Sequence, residues 1–87
     1  MGRKERERPE KLAPKLLAIR NHLGLSQTQM WKKLGLEEKA EYKIISRYET
    51  GKQEPALLIL LRYAESVGIS TDTLIDDRRE LPNKLVK

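Results

Sequence analysis

The chain of 87 residues has no cysteine. Disulfide scaffolds and thiolate metal sites are therefore excluded, and the composition suits a reducing compartment. No apolar run approaches the roughly 20 residues that span a bilayer. The charged start, MGRKERERPEK, lacks the apolar stretch of a signal peptide, so a cytoplasmic location is expected. There is one histidine, His22, with no clustered carboxylates beside it, and no metal or cofactor is expected. No Ser/His/Asp set, glycine-rich phosphate loop or carboxylate pair stands at useful spacing, so an enzyme is not expected. No alternating β-branched run, internal repeat or low-complexity segment is visible.

What is present is basic charge, unevenly placed. Residues 1–52 hold 13 Lys and Arg against 7 Asp and Glu, whereas residues 53–87 hold 5 against 6. Such asymmetry fits a polyanion binder, with a merely solvated basic face as the plain alternative. Residues 1–11 read as a flexible basic arm, either solubilising or laid along phosphates.

Helical spacing organises the remainder. Leu12, Leu16, Ile19 and Leu23 form the apolar stripe of a first helix, with Pro14 in its first turn and Gly24 as its stop. Ser26 and Gln29 form the capping box of a second helix carrying Met30, Trp31 and Leu34, which ends at Gly35. In a third, Ile45, Tyr48 and Glu49 share one face, while Lys43, Ser46, Arg47 and Thr50 share the opposite, polar one. Leu57, Leu60, Leu61, Ala64 and Val67 give a core stripe to a fourth helix, leaving Leu58 and Ile59 off it. Ser70 caps a short fifth helix with Leu74 and Ile75. Asp76 and Asp77 read as surface partners of Arg78 and Arg79. The expected architecture is all-α, a compact five-helix domain over residues 12–77 followed by a C-terminal tail, 78–87. The apolar residues of that tail, Leu81, Leu85 and Val86, either fold over the fourth helix or join it in a dimer surface.

An ordered set of short motifs runs from residue 16 to 75: L-x-x-I-R at 16–20, GLSQ at 24–27, MWKKLG at 30–35, ISRYETGK at 45–52, Pro55, LLRYAESVGIS at 60–70 and Leu74. In this order and spacing the chain resembles the phage-repressor (Cro/repressor, or XRE) type of helix-turn-helix domain. The resemblance implies a sequence-specific transcriptional regulator that binds double-stranded DNA with its third helix, about residues 40–50, in the major groove. It implies base contacts from Gln27, Tyr42, Lys43, Ser46 and Arg47. It implies phosphate contacts from Ser26, through its N–H and hydroxyl, and from Thr50 and Lys52. It also implies an internal ion pair between Arg20 and Glu49. Within this class the chain could be a phage-type repressor or the antitoxin of a toxin–antitoxin pair; a homodimer through helix 4 and the tail would suit a palindromic operator.

Two positions depart from the family pattern. The interval from Gly35 to Ile45 is about four residues longer, close to one helical turn. Because EEKAEYK favours helix, the expectation is an extra turn at the start of the third helix. Trp31 stands where a small residue is usual, and its indole is expected to fill the space the longer connection opens; the competing reading is an exposed ring stacked on a partner. Glu37, Glu38 and Glu41 suit a helix N-terminus but repel phosphates. They point off the DNA, accept from a cytosine N4, or belong to a protein-interaction module on the same fold.

Overall fold

The computed structural model describes residues 7–85. Residues 1–6 of the expected arm and residues 86–87 lie outside them. Five helices follow in order: α1 Leu12–Leu23, α2 Gln27–Lys33, α3 Ile44–Glu49, α4 Leu57–Ser66 and α5 Thr71–Ile75, with no strand among the described residues. The protein is all-α. Helix α1 packs on α3 and α5, α2 packs on α3, and α4 packs on α5.

Apolar periodicity builds one core. Leu12, Leu16 and Ile19 of α1 meet Met30 of α2, Ile44, Ile45 and Tyr48 of α3, and Leu74 of α5, all buried, with Leu34 and Leu36 beside them. The rings of Tyr48 and Tyr63 meet edge to face with centroids 6.4 Å apart, a favoured aromatic geometry. The phase of α4 differs from the expected stripe. Ile59, Leu60, Tyr63, Ala64 and Val67 face inward, while Leu57, Leu58 and Leu61 are exposed, the first two at 79% and 66%. The run LLILL is apolar all round, so spacing alone cannot set the rotation; the Tyr63 ring, fully buried, sets it.

The two ends of the fold satisfy each other. Helix α1 has no side-chain cap at Lys11. Instead the Glu10 and Lys11 N–H groups donate to the Asp77 carboxylate at 2.8 and 3.0 Å. In return Lys15, buried in α1, donates its Nζ to the carbonyls of Thr73, within α5, at 2.7 Å and of Asp76, its C-cap, at 3.0 Å. Burial lowers the Lys15 pKa, although the carbonyls answer its protons. Asp77 is thus a long-range helix cap rather than a surface partner of arginine; Asp76 alone binds Arg78, at 3.0 Å, and Arg79, at 3.6 Å. The tail places Leu81 and Leu85 against the core, with the Leu85 carbonyl 3.1 Å from His22 Nε2 on α1. It leaves Leu57 and Leu58 uncovered.

The connection between α2 and α3 overturns the expected helix extension. Helix α3 has only six residues, and residues 40–43 precede it, with Lys43 as its N-cap. The additional residues form a separate turn, in which the Lys39 and Ala40 N–H groups both donate to the Leu36 carbonyl at 3.0 Å. Leu36 is sunk in the core, and Trp31 Nε1 donates to the Ala40 carbonyl at 2.8 Å. These two anchors outweigh the local helix propensity of EEKAEYK. The Trp31 ring is half-buried, so it pins the added turn from beneath. Gly35 opens the connection at φ +71°, and a Cβ there would sit 3.1 Å from Arg62 Nη1. That same nitrogen closes the end of α2 by donating to the Leu34 carbonyl at 2.7 Å.

Candidate nucleic-acid interface

Helix α2 starts on a complete capping box. The Gln29 N–H donates to Ser26 Oγ at 3.0 Å, and the Ser26 N–H donates to Gln29 Oε1 at 2.8 Å. The reciprocal pair satisfies two donors that a helix start leaves open. It also decides what Ser26 can offer a ligand: its N–H is taken, and the proton of its hydroxyl is what remains.

Gln27, the first residue of α2, points toward the end of α3. Its Nε2 donates to Glu49 Oε1 at 3.1 Å. Arg20 grips the same carboxylate from α1, with Nε on Oε2 at 2.6 Å and Nη2 on Oε1 at 3.1 Å. Its Nη1 donates to the Leu25 carbonyl at 3.0 Å. The pair is well shielded, with side-chain exposures of 16% for Arg20 and 4% for Glu49. The hydrogen bond to Glu49 raises the Arg20 pKa further above its ordinary value. Below, the Tyr63 hydroxyl is buried without a hydrogen-bond partner among the described residues, and burial pushes its pKa well up. A carboxylate this close to the α3 surface would repel phosphates if it were free; here it is neutralised and turned inward.

The opposite side of α3 is different. Lys43 and Arg47 are exposed one turn apart, the Arg47 N–H donating to the Lys43 carbonyl at 3.3 Å, with Ser46 half-buried between them. Among the described residues Lys43, Arg47 and Lys52 form no ion pair. Tyr42, 48% exposed, lies edge-on to Trp31 with centroids 6.5 Å apart. Thr50 caps the end of α3 and spends its hydroxyl proton on the Ser46 carbonyl at 2.9 Å. The Lys52 and Gln53 N–H groups both close on the Arg47 carbonyl, at 3.0 and 3.2 Å, which fixes the turn that carries Lys52.

Glu37, Glu38 and Glu41 are exposed around an open groove that also includes Trp31, Ala40, Tyr42 and Lys43. Sequence reasoning did not find the link from Gln27 to Glu49, the anchoring of Ala40 by Trp31, or the closure of α2 by Arg62. Each joins residues from separate turns or helices, and only the unusual Trp31 signalled one of them. No group of metal-ligating side chains occurs among the described residues, and none of their helices is long and apolar enough to cross a membrane.

Among curated proteins no relative matches the chain. Its fold is similar to that of the P22 c2 repressor protein, solved in complex with the synthetic operator 9T in the presence of Tl+; the TM-score is 0.64 at 24% identity, over 76% of this chain and 94% of that one. A helix-turn-helix family model matches residues 16–74. That match spans all of α2 through α4 and most of α1 and α5, and the chain belongs to the helix-turn-helix family of the phage-repressor, XRE type.

Proposed function

We propose that this protein is a sequence-specific transcriptional regulator that binds double-stranded DNA and reads the major groove with α3. One observation carries the reading: Lys43, the N-cap of α3, and Arg47, within it, stand exposed and without ion pairs among the described residues, one turn apart, while the other side of the helix, through Ile45 and Tyr48, is locked in the core. A helix so mounted fits the major groove, which is about 12 Å wide, and its cations can donate to guanine O6 and N7. Tyr42, Ser46 and Gln27 complete the base-reading set. Ser26 contributes its hydroxyl to a phosphate, Lys52 its ammonium group, and Thr50 its hydroxyl once it turns from Ser46. The P22 c2 repressor, similar in fold, was solved on a synthetic operator, which supports the same reading. Nothing in this scheme requires catalysis or a cofactor, and it suits a cytoplasmic protein.

The bare outer side of α4, with Leu57, Leu58 and Leu61, supports a homodimer. Two copies would then read half-sites about one helical turn apart. Sedimentation at micromolar concentration tests this, and a strictly monomeric protein removes the dimer for free protein.

The test of the main reading is selection from random duplex DNA at two salt concentrations. The expected result is an enriched motif whose affinity falls with salt, with a log–log slope of about −0.9 per phosphate contact. No enrichment and no salt-dependent retention would overturn it.

A further inference from the structure

The root of the N-terminal arm is held in place, and it is held beside Lys52. The Asp77 carboxylate accepts from the Glu10 and Lys11 N–H groups at 2.8 and 3.0 Å. Pro9, half-buried, comes next along the arm. Its ring locks its own φ and keeps the residue before it extended. A short stiff lever therefore joins the held backbone to Arg8. The lever also sorts charge. Arg8 lines a cleft of about 570 Å3 together with Lys52, on the turn that follows α3. Arg8 borders a second cleft as well, toward α5, and it is there, with Asp77, that Glu7 and Glu10 lie. Arg8 and Lys52 are both exposed, and neither forms an ion pair among the described residues. Glu54, which also lines the first cleft, is half-buried and itself engaged. We propose that Arg8 is a DNA-binding residue that grips the phosphate backbone beside Lys52, and that Asp77 is the residue that positions it.

This role rests on the DNA-binding reading and deepens it. Two cations that share one cleft repel each other, and the fold gains nothing from bringing them together. A phosphodiester placed against both turns that repulsion into two attractions. The guanidinium can give a phosphate two parallel N–H bonds, and the ammonium group adds a compact point charge. Leu12 and Leu60, both buried, lie under the same cleft. Over such an apolar floor charge is screened less than in open water. A backbone contact carries no base information, so Arg8 adds affinity and leaves the motif alone. The part played by Asp77 has an unusual sign. A carboxylate repels DNA, so its removal would by itself tighten binding to a polyanion. Where Asp77 aims Arg8, its removal weakens binding instead.

The experiment titrates a selected duplex with the full chain at about 50 and about 200 mM salt, as wild type, Arg8→Gln, Asp77→Ala and the two substitutions together. Loss of one phosphate contact lowers the log–log slope by about 0.9, so across this range the wild type should lose about 3.5-fold more affinity than Arg8→Gln. Both proteins should select the same motif. Asp77→Ala should bind more weakly than the wild type, and in the Arg8→Gln background it should cost no further affinity. Equal slopes for wild type and Arg8→Gln overturn the Arg8 contact. An Asp77→Ala protein that binds as tightly as the wild type, or more tightly, overturns the positioning. So does an equal loss in both backgrounds, which is what a merely structural clasp gives. A wild type without salt-dependent binding overturns the DNA-binding reading as well. Arg8 is exposed, so Arg8→Gln keeps the fold, and its slope decides even where Asp77→Ala does not fold.

Discussion

The basic residues on the α3 side of the molecule and those on its α1–α5 side do opposite work. Around α1, α4 and α5 five cations are committed. Lys15 closes the carbonyls of Thr73 in α5 and Asp76 at its end, Arg20 holds Glu49, Arg62 caps α2, and Arg78 and Arg79 share Asp76. Along α3 and the turn after it, Lys43, Arg47 and Lys52 are exposed and without ion pairs among the described residues. The difference teaches that net charge is a poor guide to an interface, because only uncommitted cations can give their donors to a ligand. The excess of basic residues in the first half of the sequence mixes both kinds.

Substitutions that break this division should rank by how deeply the removed group is committed. Arg20→Ala strands the shielded Glu49 carboxylate and should cost about 3–5 kcal/mol in urea denaturation. Next comes Trp31→Ala, which frees the Ala40 carbonyl and unpins the added turn. For a half-buried ring the expected loss is about 2–3 kcal/mol, below that of a fully buried tryptophan, read from a thermal melt. Arg47→Ala should leave the melt within about 0.5 kcal/mol of wild type but remove ~1–3 kcal/mol of discrimination at one base position. Arg79→Ala, on the committed side, should change neither, as titration of a selected duplex would show.

The smallest effect concerns Asp77. Hydrogen bonds from the Glu10 and Lys11 N–H groups lower its pKa from the ordinary 3.8. A carboxylate with a lowered folded-state pKa contributes stability that is complete above its unfolded value. The contribution is lost as pH falls from about 3.8 through the lowered folded value. Asp76, lowered to about 2 chiefly by its hydrogen bond from Arg78, follows the same sign. Acid unfolding of Asp77→Asn should therefore show a shallower dependence on pH in this window than the wild type. Equal slopes would remove the Asp77 contribution.

Much of the fold was legible because its signals are local. The box of Ser26 and Gln29, the glycine stops at 24 and 35, and the stripe of Leu12, Leu16 and Ile19 each lie within a few residues of what they determine. The rotation of α4 was not legible, since a run apolar on every side has no preferred face until Tyr63 claims the interior. The connection after Gly35 misled for the opposite reason: its local preference for helix is real, but Leu36 and Trp31 act through tertiary contacts that no window contains. For the interface, sequence pattern put Lys43, Ser46 and Arg47 on one face of a helix, while the resemblance supplied their roles. The partner of the Gln27 amide, 22 residues away, was visible only in three dimensions.

The clasp between the beginning of α1 and the end of α5 has a consequence for how the molecule opens. Its bonds join residues 66 and 67 positions apart, so closing it costs loop entropy that local turns do not. Once closed, neither terminal helix can fray alone, because unwinding α1 strips the acceptor from its N–H groups and removes the cation from α5 at the same moment. The two ends therefore form one cooperative opening unit. The amides of Glu10 and Lys11, at the margin of a helix where exchange with water is ordinarily fastest, should keep time with the loss of α5.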